Sequence, residues 1–209
     1  MLKVQIIVGI TREGRNSDRV VEWILPMARR AFEVEVIDLR DWPLPFFQEV
    51  VANMGELNNP TYSDPLVQRW NAKIKEADAY LMVTPEYNHG IPAVLKNAID
   101  TVFFSFGFRR KPVAFVGYSL GLTAAVRAVE QLNQVMLETE AVPVRTQTLV
   151  PFVNNAFDAS GQPVAPVMNV TLDAMLEDLS WLASALKTAR IAGDTVPSAF
   201  RIRAASGRK

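Results

Sequence analysis

The chain alternates between short runs of β-branched and other apolar residues and longer segments with apolar residues at helical spacing. The short runs occupy residues 3–10, 32–39, 79–84, 111–119 and 141–150. This alternation is typical of parallel strands joined by crossover helices. Because strands of this kind are apolar on both faces, helices must cover both sides of the sheet. The sequence therefore predicts an α/β fold with a doubly wound, five-stranded parallel sheet in three layers.

The size and charge of the chain limit its organisation and partners. With 209 residues and 49% hydrophobic content, it can form one fair-sized core, and we expect a single domain over residues 1–191 and a flexible tail over residues 192–209. Lysine plus arginine total 22 and aspartate plus glutamate total 22, which disfavours nucleic acid and anionic membranes as partners. The chain shows no secretory signal pattern and no apolar run of about 18 residues, so we expect a cytoplasmic protein.

The residue inventory also limits the chemistry. Cysteine is absent and His89 is the single histidine, which excludes thiolate nucleophiles and multi-histidine metal clusters. In doubly wound sheets, ligands bind beyond the carboxyl ends of the strands, where the strand order reverses. That rule selects three loops, at residues 9–17, 84–91 and 117–121.

The first loop has the composition of an anion site. The spacing Gly9-x4-Gly14 is that of a P-loop, but Arg15 and Asn16 stand where nucleoside triphosphate sites need Lys and Ser/Thr. Backbone N–H groups at a helix start and the guanidinium groups of Arg12 and Arg15 match phosphate oxygens. Further donors in the loop are Thr11, Asn16 and Ser17. We expect the loop to bind a phosphate monoester, although solvated arginines in a simple turn are the alternative interpretation.

The second loop lies in the stretch TPEYNHGIPAVLKNAID, residues 84–100. The loop has a proline directly after the strand, a Tyr-Asn pair and a glycine. These residues hold the backbone open, so that its amide groups face a ligand at the strand ends. The stretch resembles the signature of the NADPH-dependent FMN reductase family, which includes azoreductases, quinone reductases and chromate reductases. The resemblance is carried by Pro85, Glu86, Tyr87, Asn88, Pro92, Leu95, Lys96, Asn97, Ala98 and Asp100. It extends from the first loop to the fifth strand and weakens after about residue 150.

The resemblance implies a flavodoxin-like fold with strand order 2-1-3-4-5, FMN as cofactor, and a homodimer or a dimer of dimers. It places the FMN phosphate on Thr11, Arg12, Arg15 and Ser17, with Asn16 as a further donor of the same loop. It places the isoalloxazine against Pro85, Glu86, Tyr87 and Asn88, with the other edge of the ring flanked by Gly117, Tyr118, Ser119 and Gly121. One departure is Ile10, which replaces a serine that many family members carry.

The implied activity is hydride transfer from NADPH or NADH through flavin N5 to a small flavin, quinone or azo-type acceptor. No side chain has to act as nucleophile or metal ligand. A flavodoxin-type electron carrier is the alternative, but carriers of that type resemble acidic proteins and this chain has no net charge. A receiver-like signalling domain would need aspartates at the ends of the first and third strands, and these are absent.

Three other features allow two interpretations each. His89 suits a proton-transfer role or plain exposure in a loop. Residues 109–111 suit either the extra phosphate of NADPH or a solvated turn, and the aromatic cluster of residues 103–108 suits a core or a subunit surface. The long segment 40–65, rich in proline and aromatic residues, is predicted to shape access for the acceptor.

Overall fold

A computed structural model of the chain describes residues 1–56 and 59–207. The strands are β1 (Leu2–Val8), β2 (Phe32–Asp38), β3 (Ala79–Pro85), β4 (Pro112–Tyr118), β5 (Val142–Pro143) and β6 (Thr148–Val150). All strand pairs are parallel, in the order β2-β1-β3-β4-β5, and β6 also pairs with β4. The predicted flavodoxin-like order 2-1-3-4-5 is confirmed.

Helices cover both faces of the sheet. They are α1 (Ser17–Ala28), α2 (Pro65–Lys75), α3 (Ala93–Asp100), α4 (Val126–Glu138), α5 (Val167–Ala192) and α6 (Ser198–Ala205). One core packs α1 and α5 against the sheet, for example through Ile24 and Leu172. The other core packs α2, α3 and α4 against the opposite face, for example through Trp70, Leu95 and Leu132. Because side chains alternate along each strand, both faces of the central strands are buried.

The fifth strand is interrupted, whereas the sequence predicts a continuous run over residues 141–150. Its first part, β5, pairs with the start of β4, and its second part, β6, pairs with the end of β4. Pro143 has no N–H to donate, which suits an edge strand, and the ladder continues only as far as the bond from Val144 N to Val113 O, 2.8 Å. The interruption leaves residues 145–147 outside the strand pairing.

Helix α4 begins at Val126, whereas the sequence predicts a start at Gly121. Ala124 and Ala125 have φ angles of 51° and 69°, which lie in the left-handed region and cannot continue into an α-helix. Residues 119–125 therefore form a loop beyond the carboxyl end of β4. A Cβ at Gly117 would lie 3.0 Å from the carbonyl oxygen of Ala124, so the close approach of this loop requires glycine there.

The segment after α5 contacts the body of the protein. Arg109 bonds Asp194 through Nη1 and Oδ1 at 2.7 Å, and Ser198 Oγ donates to Glu140 Oε1 at 2.6 Å. The sequence predicts a flexible tail over residues 192–209, and the structure instead continues α5 to Ala192 and adds α6. Mobility in solution stays a prediction, as does the single domain over residues 1–191, and residues 208 and 209 lie outside the described part.

A series of phenylalanine rings connects segment 40–65 with α6. Phe47 lies 6.0 Å from Phe104, which lies 5.4 Å from Phe103. Phe106 then lies 5.5 Å from Phe103 and 5.2 Å from Phe200, measured between ring centroids. These rings pack on one another within the chain. Residues 57 and 58 of segment 40–65 lie outside the described part.

Across residues 1–56 and 59–207, no helix combines the length and the apolar character needed to cross a bilayer.

Candidate functional site

A cavity of about 380 Å³ lies at the carboxyl edge of the sheet, between the loops that follow β1, β3 and β4. Its volume is in the range of small-molecule sites, and its position is the one that doubly wound sheets use for ligands. Eight of the thirteen predicted cofactor-binding residues line it: Arg12, Asn16, Pro85, Glu86, Tyr87, Tyr118, Ser119 and Gly121. The structure therefore brings the three predicted loops together around one space.

In the first loop, Arg12 carries a positive charge that is available to a ligand in the cavity. Its side chain is exposed, lines the cavity and has no ion-pair partner within residues 1–56 and 59–207. Asn16, the residue before α1, uses its side-chain amide to donate to Asn154 Oδ1 at 3.0 Å. No described side chain caps the first turn of α1. The N–H groups of that turn and the Arg12 guanidinium are thus available to an anion.

Two buried hydroxyl groups near the start of α1 have unused hydrogen-bonding capacity. Ser17 is fully buried and Tyr118 is 4% exposed. Neither Ser17 Oγ nor the Tyr118 hydroxyl has a partner at normal hydrogen-bond geometry in the described part of the chain, although Ser17 lies near enough to Tyr118 to lower its pKa and partly offset the effect of burial. Burial raises the pKa of Tyr118 to about 12, so its hydroxyl stays protonated and remains a donor. Since buried polar groups normally have partners, these two groups point to a ligand at this end of the cavity.

Arg15 is placed differently from the prediction. Its side chain is 2% exposed, and its Nη1 and Nη2 atoms bond the two carboxylate oxygens of Asp38. Nε bonds Asp18 at 2.8 Å, Nη2 contacts the same carboxylate at 2.7 Å, and Nη1 also donates to the carbonyl oxygen of Ile10. These contacts use all five N–H groups of the guanidinium. Arg15 therefore fixes the loop, and the donors left for a phosphate belong to Arg12.

The loop after β3 is a tight hairpin. Tyr87 N donates to Gly90 O and Gly90 N donates to Tyr87 O, both at 2.9 Å. Asn88 and His89, with φ angles of 49° and 67°, form the two central positions of this turn. Tyr87 is 40% exposed and lines the cavity, whereas Asn88 lies at the tip of the turn, away from the lining residues.

Glu86 is the buried charge of the site. Its side chain is 6% exposed, and it forms an ion pair with Arg127 of α4. Arg127 Nη1 also contacts His89 Nε2 at 2.9 Å, and Arg127 Nη2 contacts Thr123 Oγ1 at 3.3 Å. Because arginine only donates, His89 Nε2 is the acceptor in this contact. The Arg127 guanidinium therefore contacts both Glu86 and His89 in the loop after β3.

The remaining predicted residues support the site from outside the lining. Thr11 is exposed in the first loop, and Gly117 is buried within β4. Gly9 begins the first loop, where a Cβ would lie 2.7 Å from Leu95 Cδ2. The close packing of the loop ends on the sheet thus depends on both glycines.

The suggestion that residues 109–111 contact the extra phosphate of NADPH is wrong in this geometry. These residues precede β4, so they lie at the amino end of the strand, opposite the cavity. Arg109 is 7% exposed and Lys111 is 8% exposed. Arg109 bonds Glu140 and Asp194, and Lys111 bonds the carbonyl oxygens at the end of α2.

Five lining residues were not among the predicted site residues: Ile10, Leu120, Thr123, Arg127 and Val153. Leu120 lies within the third predicted loop, so its position was readable from the sequence. Arg127 follows that loop by six residues, and only the late start of α4 turns it toward the cavity. Val153 belongs to the irregular segment after β6, and no pattern in the sequence predicts where that segment packs.

The comparisons with known proteins decide the family. A family model described as NADPH-dependent FMN reductase matches residues 2–155. The chain belongs to the NADPH-dependent FMN reductase family. This confirms the family and the enzyme class predicted from the sequence, and it supports FMN and NAD(P)H as cofactors.

Individual relatives agree with the family assignment. The chain is 30% identical over 164 residues to an NAD(P)H-dependent FMN reductase of Pseudomonas aeruginosa, covering 77% of this chain and 84% of that protein. It is 34% identical over 118 residues to an NAD(P)H-dependent FMN reductase of Schizosaccharomyces pombe, where the match covers 56% of this chain and 57% of that protein. Among solved structures, the flavoenzyme FerB of Paracoccus denitrificans, an NAD(P)H:(acceptor) oxidoreductase, shares the fold with a TM-score of 0.71 and 21% identity, over 88% of this chain and 98% of that one.

The residues at the cavity fit the cofactor of the family. A phosphate ester needs donors and positive charge, and one end of the cavity supplies Arg12, the first turn of α1 and the two hydroxyls without partners. A flat ring needs an open surface, and the other end supplies Tyr87 and the backbone of the β3 and β4 loops. The donor set at one end and the open surface at the other therefore fit FMN.

Proposed function

We propose that this chain binds FMN in the cavity at the carboxyl edge of the sheet and reduces a small flat acceptor, a flavin, quinone or azo compound, at the expense of NAD(P)H. The observation that carries the proposal is the combination of an unpaired Arg12 within the described residues, an uncapped α1 and the two buried hydroxyls of Ser17 and Tyr118 at one end of the cavity. These groups together supply charge and hydrogen bonds for a phosphate ester.

The protein's own part in the reaction is binding, orientation and restriction of access. Bound FMN supplies the hydride chemistry. Arg12 and the first turn of α1 would hold the phosphate, with Tyr118 donating from the cavity lining and Ser17 from the buried position beside it. Tyr87 and the loop 119–121 border the face where a nicotinamide and then an acceptor lie. Because the same face serves both molecules, we expect ping-pong kinetics.

The acceptor is proposed from the surroundings of the cavity. Tyr87, Leu120 and Leu122 are exposed by 40%, 65% and 77%, so the rim of the site is mainly apolar. Such a rim suits flat apolar oxidants. Relatives named 2-hydroxy-1,4-benzoquinone reductase and quinone reductase support a quinone in this role.

A homodimer or a dimer of dimers is part of the same proposal. Phe152 is 50% exposed beside the exposed leucines of the loop 119–125, and Phe152 N bonds Gly121 O at 3.3 Å. Apolar side chains that cluster at the surface commonly mark contacts between proteins. Light scattering measures the assembly, and a monomeric mass would contradict this part. A cytoplasmic location stays a prediction.

The proposal is tested by titrating the purified protein with FMN and following the quenching of flavin fluorescence, then by assaying NADPH and NADH oxidation with flavin, quinone and azo acceptors. We expect saturable quenching and turnover with at least one acceptor. Absence of FMN binding would refute the proposal. FMN binding without turnover, combined with a stable one-electron reduced flavin, would favour the electron carrier.

A further inference from the structure

Arg127 is the side chain that joins two of the loops around the cavity. It lies in the first turn of α4, and its guanidinium pairs with Glu86 and contacts His89 in the loop after β3. The same guanidinium contacts Thr123 in the loop after β4 at 3.3 Å. Since Arg127 also lines the cavity, one charged group touches both loops and the space between them.

Both loops have backbone conformations that need external support. Asn88 and His89 in one loop, and Ala124 and Ala125 in the other, have positive φ angles between 49° and 69°. Non-glycine residues in this region carry strain, and such strain persists only where the surrounding structure holds it in place. Arg127 lies two residues after Ala125 and contacts the loop that contains the first pair, so it is placed to hold both.

The ion pair between Glu86 and Arg127 contains hydrogen-bonding atoms that have no partner in this geometry. Arg127 Nη2 contacts Glu86 Oε1, while Arg127 Nε and Glu86 Oε2 are buried and have no hydrogen-bond partner in the described chain. A guanidinium and a carboxylate can form two parallel bonds through these atoms. A small adjustment of the loops therefore allows a second bond between the same two side chains. Lysine, with a single nitrogen, has no equivalent.

We propose that Arg127 is a positioning residue of the flavin site, which sets the separation of loops 84–90 and 119–125 through its contacts with Glu86, His89 and Thr123 and thereby determines how tightly the ring end of the flavin is bound. This inference rests on the proposed function. It separates two tasks within the cavity, because Arg12 serves the phosphate end and Arg127 serves the ring end.

The test compares FMN with riboflavin, which has the same ring and lacks the phosphate. The variants are Arg127→Lys and Arg12→Ala, with Gln131→Ala as the matched control. Gln131 also lies on α4 and bonds the same hairpin, at His89 O at 2.7 Å, but it neither lines the cavity nor pairs with Glu86. Dissociation constants come from fluorescence quenching, and thermal melting shows whether each variant is folded.

We expect Arg127→Lys to raise the dissociation constants of FMN and riboflavin by the same factor, about tenfold, the size expected for one charged hydrogen bond. Arg12→Ala should weaken FMN and leave riboflavin unchanged, and Gln131→Ala should change both by less than about twofold. The double variant Glu86→Gln with Arg127→Gln removes both members of the ion pair and keeps a neutral hydrogen-bonding pair, so it tests folding without leaving one charge unpaired.

The outcomes distinguish the two proposals. If the unmodified chain binds neither flavin, the proposed function and this inference both fail. If it binds both flavins and Arg127→Lys binds them as tightly as the unmodified chain, only this inference fails. Equal losses in Arg127→Lys and Gln131→Ala would also overturn it, because they would assign the effect to docking of the hairpin in general. A loss confined to FMN would place Arg127 at the phosphate and contradict its role at the ring.

Discussion

Arg15 and Asp38 form a two-pronged ion pair that connects the first loop with the end of β2. Nη1 lies 2.8 Å from Oδ1, and Nη2 bonds Oδ2. The arginine side chain is 2% exposed and the aspartate side chain is 18% exposed. Burial alone would raise the pKa of Asp38, but hydrogen bonds from Arg15 and Arg40 outweigh it and hold that pKa well below its usual value. The pair therefore contributes to folding in a way that depends on pH.

We expect Asp38→Asn to lower the free energy of unfolding by about 3 kcal/mol at pH 7, because it leaves a buried guanidinium without its main partner. A carboxyl whose pKa is depressed on folding stabilises the protein above its unfolded pKa of about 4, and this stabilisation is lost as the pH falls below that value. The difference between the two proteins should thus shrink in acid. Urea denaturation at pH 7 and at pH 3.5 measures it.

The control for this prediction is Asp41→Asn, because Asp41 is an exposed carboxylate three residues away. It should change the free energy of unfolding by less than about 0.5 kcal/mol. An Asp38→Asn protein as stable as the unmodified chain at pH 7 would show that the pair does not stabilise the fold.

The two arginines of the first loop should respond differently to replacement. Arg12→Ala should weaken FMN binding by about 1.5–3 kcal/mol and leave thermal stability nearly unchanged, because Arg12 is exposed. Arg15→Ala should lower the free energy of unfolding by about 1.5–3 kcal/mol, since it removes the buried guanidinium that bonds Asp38 and leaves this carboxylate with Arg40 alone. Flavin titration and thermal melting of the two variants, side by side, measure both effects. If Arg12→Ala bound FMN as tightly as the unmodified chain, the phosphate would have to bind away from Arg12.

Lys111 should make stability rise with pH above neutrality. Its Nζ donates to Lys75 O at 2.9 Å and to the hydroxyl of Tyr80 at 3.2 Å, in a buried position. Burial, together with a smaller effect from the charge of Arg190, lowers the pKa of Lys111 to about 7. Between pH 7 and pH 10 the unfolded chain then holds a proton that the folded chain has released. Stability should rise by up to about 1.4 kcal/mol per pH unit from this group.

Lys111→Met removes that proton, so the difference in unfolding free energy between variant and unmodified chain should change across this pH range. Chemical denaturation at pH 7, 8 and 9 measures the slope. The matched control is Lys96→Met, at a lysine that is 45% exposed. Parallel slopes for Lys111→Met and the unmodified protein would mean that Lys111 keeps its proton when folded.

Asn97 should control the position of segment 40–65. Its amide nitrogen donates to Pro45 O at 2.9 Å, and its oxygen accepts from Phe47 N at 3.1 Å. Asn97→Ala removes both bonds, each worth about 0.5–1.5 kcal/mol. We expect faster proteolysis and faster hydrogen exchange in residues 44–47, with a changed KM for the acceptor and the same FMN affinity.

The neighbouring variant Lys96→Ala is the control for Asn97→Ala, because Lys96 pairs with Asp100 on the same helix and does not contact the segment. If the KM for the acceptor were the same in Asn97→Ala and in the unmodified chain, the position of segment 40–65 would not affect acceptor binding.

The fold and the location of the site were predictable from local patterns. The apolar runs that form β1, β3 and β4 are largely buried on both faces, as the strands of a parallel sheet covered by helices on both sides must be. The stretch at residues 84–100 carried the family resemblance in consecutive residues. Both signals depend on short distances along the chain, which is why they were readable without a structure.

The parts that the sequence did not predict depend on contacts between distant residues. Arg15 looked equivalent to Arg12 until Asp38, 23 residues away, occupied its donors. Gly121 looked like a helix start, but the left-handed conformations of Ala124 and Ala125 are set by packing over Gly117. The ion pair of Glu86 with Arg127 joins residues 41 positions apart. Residue types alone do not identify such partners.

The row of phenylalanine rings from Phe47 to Phe200 has an evolutionary consequence. Loss of a ring at one position leaves a gap that the neighbouring rings cannot fill. Substitutions in α6 and substitutions in segment 40–65 should therefore depend on each other. Among homologues that retain α6, aromatic character at positions 47, 104 and 200 should be inherited together. Homologues that end after α5 lack the Phe200 contact of Phe106 and should vary more at position 106, where only the contact with Phe103 remains.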